Sequence, residues 1–131
     1  MLTKSLLALK KSKFFIGAVF WTVLIAYLSF ASPNSLPDVH VSNSDKIAHF
    51  SVYFVLTILW TLFFFYEKNL KKTKAILLSG VLAFFYGTFV EVMQSVLTTF
   101  RTSDYLDAIA NTFGIVIASI LCSILLKRVK S

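Results

Sequence analysis

Four apolar runs, each about 18 to 24 residues long and bounded by charged or helix-breaking residues, limit what this chain can fold into. They cover about 14–31, 47–66, 75–98 and 104–126, and the connections between them are too short to hold a separate domain. A run of that length is at home in hydrocarbon as a helix, because its backbone groups are satisfied internally while its side chains face lipid. Hydrophobic residues make up 57% of the 131 positions and charged residues 15%, which excludes an ordinary soluble domain and a disordered chain alike. The expectation is an all-α integral membrane protein, a single domain of four transmembrane helices in an up-down bundle.

The basic residues orient that bundle. Lys4, Lys10, Lys11 and Lys13 precede the first run, Lys68, Lys71, Lys72 and Lys74 separate the second from the third, and Lys127, Arg128 and Lys130 follow the last. Only Lys46 and Arg101 of the 13 basic residues fall elsewhere, so the positive-inside rule puts both termini in the cytoplasm of a multi-pass protein of the cell (inner) membrane. The net charge of +7 does not imply a nucleic-acid partner, because the basic residues flank apolar runs and form no stacking platform. Membrane lipids are the expected partners. Ser29-Phe30-Ala31 offers small residues for signal cleavage, but the apolar region before it exceeds the usual length of roughly 7–15 residues, so the first run is expected to stay. His40, in a loop with Pro33 and Pro37, reads as solvated, and Cys122 reads as a small buried hydrophobe.

Against this background a few polar residues are out of place. Glu91 and Gln94 lie inside the third run, where an acidic side chain costs about 2.5 to 3.5 kcal/mol at a helix centre unless it faces protein or water. At about 100° per residue, Gly87, Glu91, Gln94 and Thr98 form one stripe, and Lys46, His49, Tyr53 and Thr57 form another on the second helix. A third combines Asp104, Asp107, Asn111, Gly114 and Ala118 on the last. All three stripes lie towards the outer ends of their helices, with Glu91 about 10 Å below the surface, so they can converge on one outward-facing cavity. Plainer readings stand beside this one. Ser44, Asp45, Asp104 and Asp107 suit helix starts, Tyr53 and Thr57 suit interhelical bonding, and the small residues Ser79, Ala83, Gly87, Ala110, Gly114, Ala118 and Cys122 suit close helix packing.

Asp45-Lys46-x-x-His49-Phe50, Glu91-x-x-Gln94 and Arg101-x-x-Asp104-x-x-Asp107-x-x-x-Asn111-x-x-Gly114 together resemble the VanZ-like family, whose namesake is associated with resistance to the lipid-bearing glycopeptide teicoplanin. The likeness covers the second to fourth runs, and the first agrees in placement. Ala118 stands where such sequences often carry a second glycine. The resemblance implies a small multi-pass protein with a role in the cell envelope.

Two functions follow as expectations. In the first, the cavity binds an amphiphilic envelope molecule such as a lipid, glycolipid or lipoglycopeptide, or docks an envelope protein, through Asp45, Lys46, Gln94, Arg101, Asp104 and Asn111. In the second, it is the active site of an enzyme modifying such a molecule, with Glu91, His49 and Asp107 as the acid-base groups. Binding is preferred because the chain carries no nucleophile motif, phosphate loop or cofactor fingerprint. No cofactor and no metal are expected, since the His, Glu and Asp residues lack a recognised ligand spacing; a metal held by His49, Glu91 and Asp107 is the lesser alternative. A channel is disfavoured because the polar stripes stop halfway.

Overall fold

In a computed structural model of the chain, which describes residues 3–4, 12–31, 44–98 and 105–127, each apolar run is a helix. Helix α1 is Lys13–Phe30, α2 is Ser44–Leu62 and continues into a π-helical turn at Phe63–Glu67, α3 is Lys72–Leu97, and α4 is Tyr105–Leu125. All four are long and apolar enough to cross a membrane. Their surface agrees with that composition. Phe20, Val23, Phe85, Phe89, Phe113 and Ile124 are each more than 60% exposed, whereas Glu91, Gln94, Asp107 and Asn111 are buried. A water-soluble protein distributes these residue types the other way round.

Helices α1, α2 and α3 start earlier than the apolar runs suggest, whereas α4 starts one residue later. Asp45 occupies the first turn of α2, where a carboxylate complements the helix dipole. The proposed caps at Ser44 and Asp104 rest on side chains outside the described residues. Helix α3 begins at Lys72, which shortens its connection from α2 to residues 68–71. The chain turns there with Lys68 N donating to Phe63 O at 3.1 Å and Leu70 N to Phe64 O at 3.0 Å. Asn69 supplies the left-handed backbone conformation, with φ of 56°.

Long-range caps close this end of the bundle. Ser12 gives α1 no side-chain cap, and Glu67 takes that role from α2, its two carboxylate oxygens accepting from Phe14 N at 2.8 Å and Phe15 N at 3.3 Å. Lys72 Nζ donates to Ser123 O at 2.9 Å near the C-terminal end of α4, where a cation is favoured. Lys13 and Lys68, chain neighbours of Phe14 and Glu67 in the first of these caps, lie over the rings of Phe14 and Phe63.

Helix α2 packs against α4 more extensively than any other pair of helices packs. Gly114 permits this contact. A Cβ at that position would run into Phe50 O and approach Phe54 N to 3.1 Å, so the α4 backbone lies directly on that of α2. Gly87 on α3 makes a softer opening, filled by the ring of Tyr53 and the amide of Asn111. Ser79, Ala83, Ala118 and Cys122 are buried as small packing residues should be. Thr57 departs from its expected interhelical role by donating to Tyr53 O at 2.8 Å, and Thr61 and Ser79 likewise bond back along their own helices. Bonds between helices come instead from Trp21 Nε1 to Val52 O at 2.9 Å, Trp60 Nε1 to Thr22 Oγ1 at 3.1 Å and Tyr86 Oη to Thr22 O at 2.6 Å.

Candidate functional site

His49, one turn into α2, faces carboxylates from three directions. One helical turn earlier on the same face is Asp45, whose Oδ1 lies 3.9 Å from His49 Nε2. Asp107 and Asn111 stand one turn apart on α4 and reach the two sides of the ring. Asp107 Oδ2 is 3.6 Å from Nε2, and Asn111 Oδ1 is 3.0 Å from Nδ1. Glu91 on α3 closes the group with Oε1 at 3.7 Å from Nδ1. The close α2–α4 contact at Gly114 sets the distances from His49 to Asp107 and Asn111, because Gly114 is one turn beyond Asn111 and Phe50 is adjacent to His49 in the chain.

Lys46 and Asp107 form an ion pair, with Nζ 2.6 Å from Oδ1. Burial is graded across the cluster. The side chains of Glu91, Asp107 and His49 are 8%, 11% and 16% exposed, whereas that of Asp45 is 64% exposed and marks the mouth. Among the described residues, three carboxylates face one ammonium. Of the polar atoms of Asp45, Glu91, Asp107 and Asn111 paired with the imidazole among the described residues, that of Asn111, Oδ1, is at hydrogen-bond distance. A proton on Nδ1 is therefore the one with a bonded acceptor, and Nε2 then turns its lone pair towards the oxygens of Asp45 and Asp107.

Lys46, His49, Glu91, Asp107 and Asn111, which helical arithmetic places on three polar stripes, thus lie together, and Asp45 joins them. Gln94 goes elsewhere: its Nε2 donates to Ser29 O at 2.7 Å and ties α3 to the end of α1. Arg101 and Asp104 lie outside the described residues. The sequence reading also missed a relation. Asp45, His49 and Asp107 each present one donor atom, all within 4.8 Å of one another, so Asp45 takes the place that the metal alternative gave to Glu91. The signal was the four-residue spacing of Asp45 and His49, which puts two ligand types on one helix face.

An apolar cavity of about 380 Å³ lies between α3 and α4, lined by Phe84, Ala108, Ile109, Thr112, Phe113 and Val116. Ala108 and Thr112 directly follow Asp107 and Asn111 in the chain.

The sequence matches the family described as VanZ/LLP1 over residues 6–126, a span that contains every residue of this cluster. The chain belongs to the VanZ/LLP1 family. It is also 37% identical over 113 residues to the uncharacterized protein C11E3.10 of Schizosaccharomyces pombe, a match covering 85% of this chain and 64% of that relative's length. No solved structure matches. Family membership and the four apolar helices together identify a multi-pass membrane protein of the VanZ/LLP1 type.

Proposed function

We propose that this VanZ/LLP1 protein binds an amphiphilic envelope molecule, with its polar head at the His49 cluster and its apolar tail along the cavity between α3 and α4. The observation that carries this reading is the juxtaposition on α4 of Asp107 and Asn111 with Ala108 and Thr112, which puts polar and apolar binding surfaces on consecutive residues. Buried ionisable groups within membrane segments serve a ligand or proton path more often than packing. A membrane lipid is the general member of that class, and a lipoglycopeptide of the teicoplanin type is the narrower one.

The test is extraction of co-purified lipids from protein in nanodiscs, followed by mass spectrometry over time. One amphiphile class is expected to be enriched with wild type and lost with Ala108→Trp, which fills the apolar cavity. Equal recovery from both proteins would remove the tail site. The enzyme reading has one specific observation in its favour, the approach of His49 to within 3.7 Å of Glu91. A chemically altered ligand that appears with wild type and is absent from His49→Ala would establish catalysis instead.

An up-down bundle with both termini cytoplasmic belongs to the same proposal. Its support is the pairing of Phe14 with Glu67 at one end and of Ser29 with Gln94 at the other, together with the lysines around the first pair. Impermeant thiol reagents applied to intact cells should label cysteines placed at Asn34 and Thr102, in a Cys122→Ser background, and spare one at Asn69. The opposite pattern would invert the protein and close the site to the outside.

A further inference from the structure

We propose that Asp45, His49 and Asp107 hold a divalent cation, of the kind served by one imidazole and two carboxylates, such as Zn²⁺ or Mn²⁺. Three features of the cluster point to it. First, the donor atoms are already gathered: His49 Nε2 is 3.9 Å from Asp45 Oδ1 and 3.6 Å from Asp107 Oδ2, and all three ligand atoms fall within 4.8 Å. Metal–ligand bonds of about 2.0–2.2 Å separate neighbouring donors by roughly 3.0–3.6 Å, so closure needs only a small inward rotation. Asp45, 64% exposed, is free to make it.

Second, the ring is oriented as a metal-binding imidazole is. With Asn111 Oδ1 accepting at 3.0 Å, the tautomer protonated on Nδ1 leaves Nε2 as the donor to a metal, and Glu91 lies behind it at 3.7 Å. An acceptor on the far nitrogen is the usual support of a ligating histidine.

Third, the charge calls for it. Asp45 and Asp107 face His49 with two carboxylates against the one ammonium of Lys46 among the described residues, so the three proposed ligands carry the charge of a cation site. Lys46 does not block the site, because it bonds to Asp107 Oδ1 and leaves Oδ2 turned to His49. Three protein donors leave coordination positions for water or for a phosphate or carboxylate oxygen of a ligand head. Only the occupant of those positions rests on the proposed binding of an amphiphile.

The test uses tag-free full-length protein in nanodiscs of neutral lipid, stripped with a chelator and titrated with Zn²⁺ and, separately, Mn²⁺ by calorimetry, with elemental analysis for stoichiometry. One equivalent of one of these ions should bind, and Asp45→Asn, His49→Gln and Asp107→Asn should each weaken it at least about tenfold. Asn111→Ala touches no ion and should weaken it by roughly 10- to 100-fold through loss of the support on Nδ1. Asp45→Asn alters a side chain at the mouth, and Asp107→Asn keeps an oxygen for Lys46, so both should retain the fold, checked by thermal unfolding. Wild-type protein that takes up neither ion, or affinity unchanged in both aspartate variants, would overturn the proposal. Co-purified amphiphile retained by a protein that binds neither ion would sink the cation site alone; cation binding without a co-purified amphiphile would sink only the amphiphile reading.

Discussion

Gly114→Ala is expected to destabilise the protein by about 3 kcal/mol, although it adds a single methyl group. The new Cβ would meet Phe50 O and Phe54 N, backbone atoms that move only if α2 and α4 separate. Gly80→Ala provides the contrast. Its Cβ would make ordinary contacts, 3.6 Å from Ile115 Cγ2 and 3.8 Å from Ser119 Oγ, so the better helix propensity of alanine should leave stability unchanged or raise it by up to about 1 kcal/mol. Thermal unfolding of the purified proteins in one detergent decides the matter. Equal melting temperatures for the two variants would show that the α2–α4 contact is not the tight point. Because Gly114 also sets the spacing of His49 from Asp107 and Asn111, its alanine variant should lose ligand retention even at temperatures where it remains folded.

Glu91→Gln should separate charge from packing. Glutamine preserves the size and most of the hydrogen bonding of Glu91 and removes its ionisable group, so insertion and folding should be normal. A hydrogen bond to a charged group is worth about 1.5–3 kcal/mol, which corresponds to a loss of roughly 10- to 100-fold in affinity for an amphiphile whose head donates to that carboxylate. The measurement is the amount of ligand retained per protein, with the melting temperature as control. Undiminished retention would reduce Glu91 to an interhelical bonding residue.

The four helices were legible because hydrophobic length is a local property, and so was the set of side chains on each face. Helical arithmetic put Glu91, His49, Asp107 and Asn111 at similar depths, and the structure brings these four together. What the arithmetic lacked was the rotation of each helix about its axis. That rotation sends Gln94, one turn from Glu91, to the carbonyl of Ser29, and gives Lys46 to Asp107. The proximity of Asp45 and His49 was written in their four-residue spacing and went unread, because Asp45 also made sense as a first-turn acid. Gly114 was legible as a small residue in a row of small residues. That it, and not Gly80, bears the backbone contact is decided by which helix lies opposite.

Glu67 has a consequence for the order in which the protein is made. The first amides of α1 have no cap of their own, and their acceptor is synthesised 53 residues after Phe14. Once Glu67 has been made, α1 and α2 can form a hairpin in which it accepts from the amides of Phe14 and Phe15, and this unit can wait in the bilayer while the remainder is translated. His49 must wait with it, beside lipid or a chaperone, since Glu91 arrives with α3 and Asp107 and Asn111 only with α4. Cells that lose the last helix through truncation should therefore accumulate an inserted but incomplete hairpin, with its imidazole as a polar mark for membrane quality control.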